Sequence, residues 1–123
     1  MSKTILLVDD EDDARAIATL ALEMQTDWTI LQARSGHQAI EMVMAQTPDV
    51  ILLDMMMPEM DGPTTLKELK AIPQIVSIPV IFVTAKTKPL AQDNINPEEV
   101  AAVIAKPFRP LELASQIRTA LGW

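Results

Sequence analysis

Asp9 and Asp10 close one apolar run, Thr4-Ile-Leu-Leu-Val8, and Asp54 closes another, Val50-Ile-Leu-Leu53. Short continuous apolar runs suit strands buried on both faces. If the two strands are neighbours in a parallel sheet, three carboxylates converge at its carboxyl edge, where open α/β sheets bind ligands. Two carboxylates ~4 Å apart repel by about 4 kcal/mol at an effective dielectric near 20. Three in one pocket need protonation or a cation. The ligand atoms are all oxygen, with no His or Cys nearby in sequence, and hard divalent ions prefer that set. Mg²⁺ is favoured over Ca²⁺, because it takes few protein oxygens and completes its shell with water and phosphate, and no EF-hand loop pattern is present. Mn²⁺ is the alternative ion.

Taken alone, the acidic stretch Asp9 to Asp13 reads as a solvated loop, as charge runs usually do. The second acidic strand end is what singles it out. Thr84 ends a fourth apolar run and Lys106 a fifth. In isolation Thr84 is an ordinary strand-end residue, and Lys106 a surface lysine before Pro107. Together the strand ends deliver carboxylates, a hydroxyl and an ammonium to one edge. A lysine binds phosphate as a point charge, Thr84 supplies a hydroxyl donor, and the small Ala85 leaves room for a phosphoryl group.

The elements that must position these residues alternate in type. Asp12 to Gln25 reads as a helix, with Ala14, Ile17, Ala18, Ala21 and Met24 on its inner face. A strand follows over Trp28 to Ala33. Ser35 caps a helix through Gln46, with Ala39, Ile40, Val43 and Met44 inward, and Thr47-Pro48 ends it. After the Val50 strand, Met55 to Gly62 is a loop, and Pro63 suits the first turn of a helix to about Lys70. Val80 to Val83 is the fourth strand and residues 101–105 the fifth. The stretch Lys86 to Glu99, which carries Pro89 and Pro97, allows one or two helical turns. Leu111, Leu113, Ala114, Ile117, Ala120 and Leu121 mark a last amphipathic helix.

Parallel strands need crossover connections, so this alternation implies a parallel sheet with helices on both faces. One three-layer, doubly wound α/β domain accounts for residues 1–123. It has five strands and about five helices, the fourth short or irregular. No repeat, linker or low-complexity tract interrupts it.

With 123 residues, 49% of them hydrophobic, the chain is long enough to bury a core. Its formal net charge of −7 argues against non-specific nucleic-acid binding and against an acidic membrane surface. It has no cysteine, hence no disulfide, thiolate metal site or cysteine nucleophile, which fits a reducing cytosol. No signal-peptide pattern and no apolar stretch of about 18 residues is present, so a cytoplasmic location without a membrane span is expected.

The constellation resembles the receiver domain of two-component response regulators. The matching residues are Leu-Val-Asp9-Asp10-Glu, Leu-Leu-Asp54-Met-Met-Met-Pro58-Glu-Met-Asp61-Gly62, Val-Thr84-Ala85 and Lys106-Pro107-Phe108. Each piece is weak alone; all four in this order are specific. The resemblance implies strand order 2-1-3-4-5 and a phosphoryl group passed from a phosphohistidine to Asp54. It implies a divalent ion bound directly by Asp10, Asp54 and the Met56 carbonyl, with Asp9 acting through water. It implies phosphoryl oxygens held at Thr84, Ala85 and Lys106, and a cis bond before Pro107. The implied partners are a histidine kinase or histidine phosphotransfer protein and a downstream protein target, with homodimerisation left open. On this reading residues 1–123 are one receiver domain without an output domain, and no independent substrate is turned over.

Two positions depart from the family pattern. Val103 stands where an aromatic switch residue is usual, in a chain with no tyrosine. Glu99 stands where a small residue usually opens the turn before the fifth strand. Two other functions fit the residues less well. A phosphatase using Asp54 as nucleophile needs a second acid two residues on, and Met56 occupies that place. A flavin-binding fold needs a hydroxyl- and glycine-rich phosphate loop, and the acids from Asp9 to Asp13 would repel the flavin phosphate. His37, early in a helix, reads as a surface residue. Met55, Met56, Met57 and Met60 read as loop and core packing, and Trp28 and Trp123 as covers for apolar surface.

Overall fold

The structure is a computed structural model that describes residues 2–85 and 95–123. Five strands form one parallel sheet: β1 (Thr4–Val8), β2 (Thr29–Ala33), β3 (Val50–Asp54), β4 (Val80–Thr84) and β5 (Ala102–Ala105). Their spatial order is 2-1-3-4-5. Among the described residues four α-helices connect and cover them: α1 (Asp12–Gln25), α2 (Gly36–Ala45), α3 (Gly62–Lys70) and α4 (Leu113–Leu121). Short 3₁₀ turns span Pro97–Glu99 and Pro110–Glu112. The helix allowed between Lys86 and Glu99 lies largely outside the described residues; its described end is the first of these turns. No helix among the described residues is long and apolar enough to cross a membrane.

Every residue of β3 and β4 is buried, which is why their sequences show no alternation. The alternation is in the direction each side chain takes. Leu6, Val8, Ile51, Leu53, Val80 and Phe82 pack with Ala39 and Val43 of α2 and Leu66 and Leu69 of α3. Ile5, Leu7, Val50, Leu52, Ile81, Val83 and Ile104 pack with Ala18 and Leu22 of α1 and Leu113 and Ile117 of α4. Each fully buried side chain of this size contributes about 1.5–3 kcal/mol.

Helix ends follow local chemistry. Ser35 accepts the Gln38 N–H at 3.0 Å, while the Gln38 side chain accepts the Arg34 N–H at 2.7 Å, two donors satisfied at the start of α2. Asp61 accepts the Thr64 N–H at 2.9 Å and Pro63 sits in the first turn of α3. Gly62 has no room for a side chain. A Cβ there would lie 2.6 Å from Met55 Cα and 2.7 Å from the Asp54 carbonyl oxygen. The loop after β3 therefore folds tightly back against the strand end, held by Gly62 N–H donating to the Met55 carbonyl at 2.9 Å.

The helix faces differ in part from the sequence reading. In α1 the buried residues are Ala18, Thr19, Ala21 and Leu22, whereas Ile17 and Met24 are exposed. Apolar residues lie almost all round this helix, so periodicity alone does not fix its phase. Met44 is likewise exposed, because α2 buries a narrower stripe than its apolar content allows, and Leu111 is exposed because it lies in the 3₁₀ turn Pro110–Glu112, before α4 begins. At the opposite end of the sheet from the acids, Trp28 and Trp123 meet edge to face, with ring centroids 5.4 Å apart.

Candidate functional site

Parallel register assembles the strand ends. Val8 pairs with both Ala33 and Leu53, so Asp9 emerges beside Asp54. Asp54 pairs with Val83, which sets Thr84 one residue further out, and Thr84 pairs with Ala105, which sets Lys106 next. Lys106 is anchored through its own backbone, donating its N–H to the Thr84 carbonyl at 2.9 Å. Its peptide bond to Pro107 is cis.

Lys106 Nζ is the hub of the site. It donates to Asp9 Oδ2 at 3.1 Å and pairs with Asp54 Oδ2 at 3.3 Å. Glu11 Oε1 is 3.9 Å away. Asp9, Asp54 and Thr84 are buried, and Glu11 is exposed. Asp9 is held at both ends: its N–H donates to the Ala33 carbonyl at 3.1 Å, and its Oδ1 accepts the Glu11 N–H at 2.9 Å. Asp54 Oδ1 accepts the Met56 N–H at 3.3 Å. Ala85 and the Met56 side chain are exposed.

Burial pushes the Asp54 carboxyl from its ordinary 3.8 up to about 6; Lys106 opposes the rise and Asp9 adds to it. For Lys106 burial is the largest influence and favours the neutral amine. Asp54 and Asp9 together outweigh it, so the ammonium holds its proton more tightly than usual.

Asp9, Glu11 and Asp54 each offer a carboxylate oxygen, and these oxygens lie within 4.8 Å of one another. That separation is close to the span of an oxygen shell around a small hard cation, about 4 Å across for bonds of 2.0–2.1 Å. The donor set is all oxygen, and one ammonium leaves the trio short of neutrality. The chemistry therefore fits a hard divalent cation. Asp10 is half-buried and lies outside this trio.

Sequence pattern alone does not distinguish Glu11 from the other acids of its run, although it directly follows Asp9-Asp10. Nor does it mark Arg15, whose Nη1 donates to the Asp9 carbonyl. Its one available signal was a lone cation three residues after Asp12, the spacing at which helix side chains meet. His37 is exposed.

Residues 5–118 match the response regulator receiver domain family. The chain is 40% identical over 124 residues to the phosphate regulon transcriptional regulatory protein PhoB of Pseudomonas aeruginosa, covering 98% of this chain and 52% of that protein. It is 31% identical to the alkaline phosphatase synthesis transcriptional regulatory protein PhoP of Bacillus subtilis, covering 98% of this chain and 49% of that protein. The chain thus spans about half the length of these curated relatives. Among solved structures, a CheY-like response regulator receiver domain protein from Methanospirillum hungatei superposes with a TM-score of 0.84 at 29% identity, covering 97% of this chain and 94% of the other. The chemotaxis protein CheY4 of Vibrio cholerae shares the fold, with a TM-score of 0.89 at 23% identity over 98% of this chain and 99% of that one.

Proposed function

We propose, from the premise that this chain belongs to the response regulator receiver family, that Asp54 is the phosphoacceptor of a two-component or phosphorelay system. The donor is a phosphohistidine on a histidine kinase or histidine phosphotransfer protein. A carboxylate oxygen of Asp54 forms a bond to phosphorus, the phosphorus–nitrogen bond to imidazole breaks, and the imidazole leaves with the bonding pair. The product is an acyl phosphate on Asp54. The family works by accepting phosphoryl groups, not by turning over a separate substrate.

The observation that carries this reading is the Lys106 ammonium, 3.1 Å from Asp9 and 3.3 Å from Asp54. It marks where a phosphoryl oxygen finds a positive charge beside the nucleophile, and positioning and charge supply most of the catalysis in phosphoryl transfer. Thr84, at the end of the neighbouring strand, provides a hydroxyl, and Ala85 leaves the approach open. Asp9, Asp10, Asp54 and the Met56 carbonyl would hold Mg²⁺ or Mn²⁺, with Glu11 as a further carboxylate. When bound, that ion neutralises the acids and the incoming phosphoryl oxygens. The acyl phosphate adds negative charge at the sheet edge. Thr84 and Lys106 then turn toward it, moving the loops that bear them and altering a surface read by a downstream protein.

The test is intact mass after incubation with acetyl phosphate and Mg²⁺. One added phosphoryl on the parent and none on Asp54→Ala supports the assignment. An unmodified parent with both acetyl phosphate and a partner kinase overturns it.

A further inference from the structure

We infer that Arg15 is a positioning residue for the cation site, an inference that rests on the metal reading above. Its side chain is only 15% exposed although it lies in the first turns of α1. Its three nitrogens reach three different elements. Nη1 donates to the Asp9 carbonyl at 2.8 Å, at the end of β1. Nη2 donates to Asp12 Oδ1 at 2.7 Å, at the start of α1. Nε donates to Gln32 Oε1 at 3.2 Å, on β2. The Asp9 carbonyl belongs to the peptide plane that joins Asp9 to Asp10. Gripping that oxygen fixes the direction in which Asp10 leaves the strand. Meanwhile the Glu11 N–H fixes the Asp9 carboxylate from the other side at 2.9 Å.

The acidic run from Asp9 to Asp13 opposes its own compaction. Arg15 holds the run against β2 and α1 through a planar fork that is pre-organised for several bonds at once, which a lysine cannot reproduce. Its side-chain nitrogens go to the Asp9 carbonyl, Asp12 and Gln32 and not to the carboxylates of the acidic trio, so it acts on the loop and not on the ion.

Two accounts of Arg15 predict opposite signs. If it were merely a nearby positive charge, removing it would make the site more negative and tighten cation binding. If it positions the loop, removing it loosens the ligand set and weakens binding. Outer-shell partners of this kind typically matter by 10–100-fold in metal affinity.

The experiment is a Mn²⁺ titration of the whole chain, with free ion followed by electron paramagnetic resonance, on the parent, Arg15→Met, Arg15→Lys and Gln32→Leu. Both Arg15 variants are expected to bind Mn²⁺ about tenfold more weakly, and Gln32→Leu to show a smaller loss in the same direction. Acetyl phosphate labelling by intact mass should then need more Mn²⁺ for half-maximal rate, with the plateau rate of Arg15→Lys recovered at saturating ion. Unchanged or tighter Mn²⁺ binding by Arg15→Met overturns the inference. If that variant does not fold, unchanged binding by Arg15→Lys overturns it. A parent that binds no Mn²⁺ overturns the metal reading and this one with it, whereas a binding parent with unaffected variants overturns only the role of Arg15.

Discussion

Lys106 Nζ lies 3.3 Å from Asp54 Oδ2, so the proposed nucleophile is already paired with a cation before any ion or phosphoryl group arrives. The same ammonium holds Asp9 at 3.1 Å. One lysine thus balances a site with more negative charge than it can neutralise, and two consequences concern stability.

Lys106→Met should destabilise the metal-free chain by about 3 kcal/mol, because removing one partner leaves two buried carboxylates facing each other. A divalent ion can take over the lost charge. Saturating Mg²⁺ should therefore stabilise Lys106→Met more than the parent in urea melts. An equal Mg²⁺ effect on both would show that the ion does not share this site with the ammonium.

Asp54→Asn should stabilise the chain at pH 7 without divalent ions. Folded Asp54 keeps its proton up to about pH 6, whereas the unfolded chain releases it near 3.8. Between those values the folded state binds more protons than the unfolded state, so this residue's contribution to stability falls as pH rises. Above about pH 6 the whole cost is present, on the order of 3 kcal/mol, and below about pH 3.8 it is gone. Urea midpoints of parent and variant in chelator should diverge across that window and converge at its acid end.

Glu59 has φ +65° in the loop after β3, and the flanking Met60 N–H donates to the Pro58 carbonyl at 2.7 Å across it. Such a tight three-residue turn strains any side chain but glycine's. Glu59→Gly should raise the melting free energy by up to about 1 kcal/mol, the strain relieved less the added freedom of the unfolded chain. A loss of stability in thermal melts would show that the Glu59 side chain makes a compensating contact.

Thr19 Oγ1 is buried in α1 without a hydrogen-bond partner. Most helical threonines satisfy this hydroxyl on the preceding turn. Thr19→Val keeps the shape and removes the unsatisfied group, so a gain of about 1 kcal/mol is expected in denaturant unfolding.

The sequence by itself determined the class of fold and the kind of chemistry. Continuous apolar runs separated by helical periodicity leave few options besides a parallel sheet covered on both faces. Carboxylates, a threonine and a lysine at the ends of those runs then belong to one edge, because parallel strands end on the same side. The strand order came from the family resemblance and holds in the structure.

Tertiary structure decided what depends on distance between remote segments. The phase of α1 was one such matter: with apolar residues almost all round, only packing against Ile5, Leu7 and α4 turned Leu22 inward and left Ile17 and Met24 outside. The recruitment of Glu11 was another. It lies within 4.8 Å of Asp9 and Asp54 oxygens because an N–H bond to Asp9 turns the loop back on itself. Arg15 is the third. Its fork spans β1, α1 and β2, and no local pattern shows that Gln32, 17 positions away, is within its reach. Residue type sets which charges a chain can bring to a site, but register and helix phase set which of them meet, and both are fixed only when the core closes.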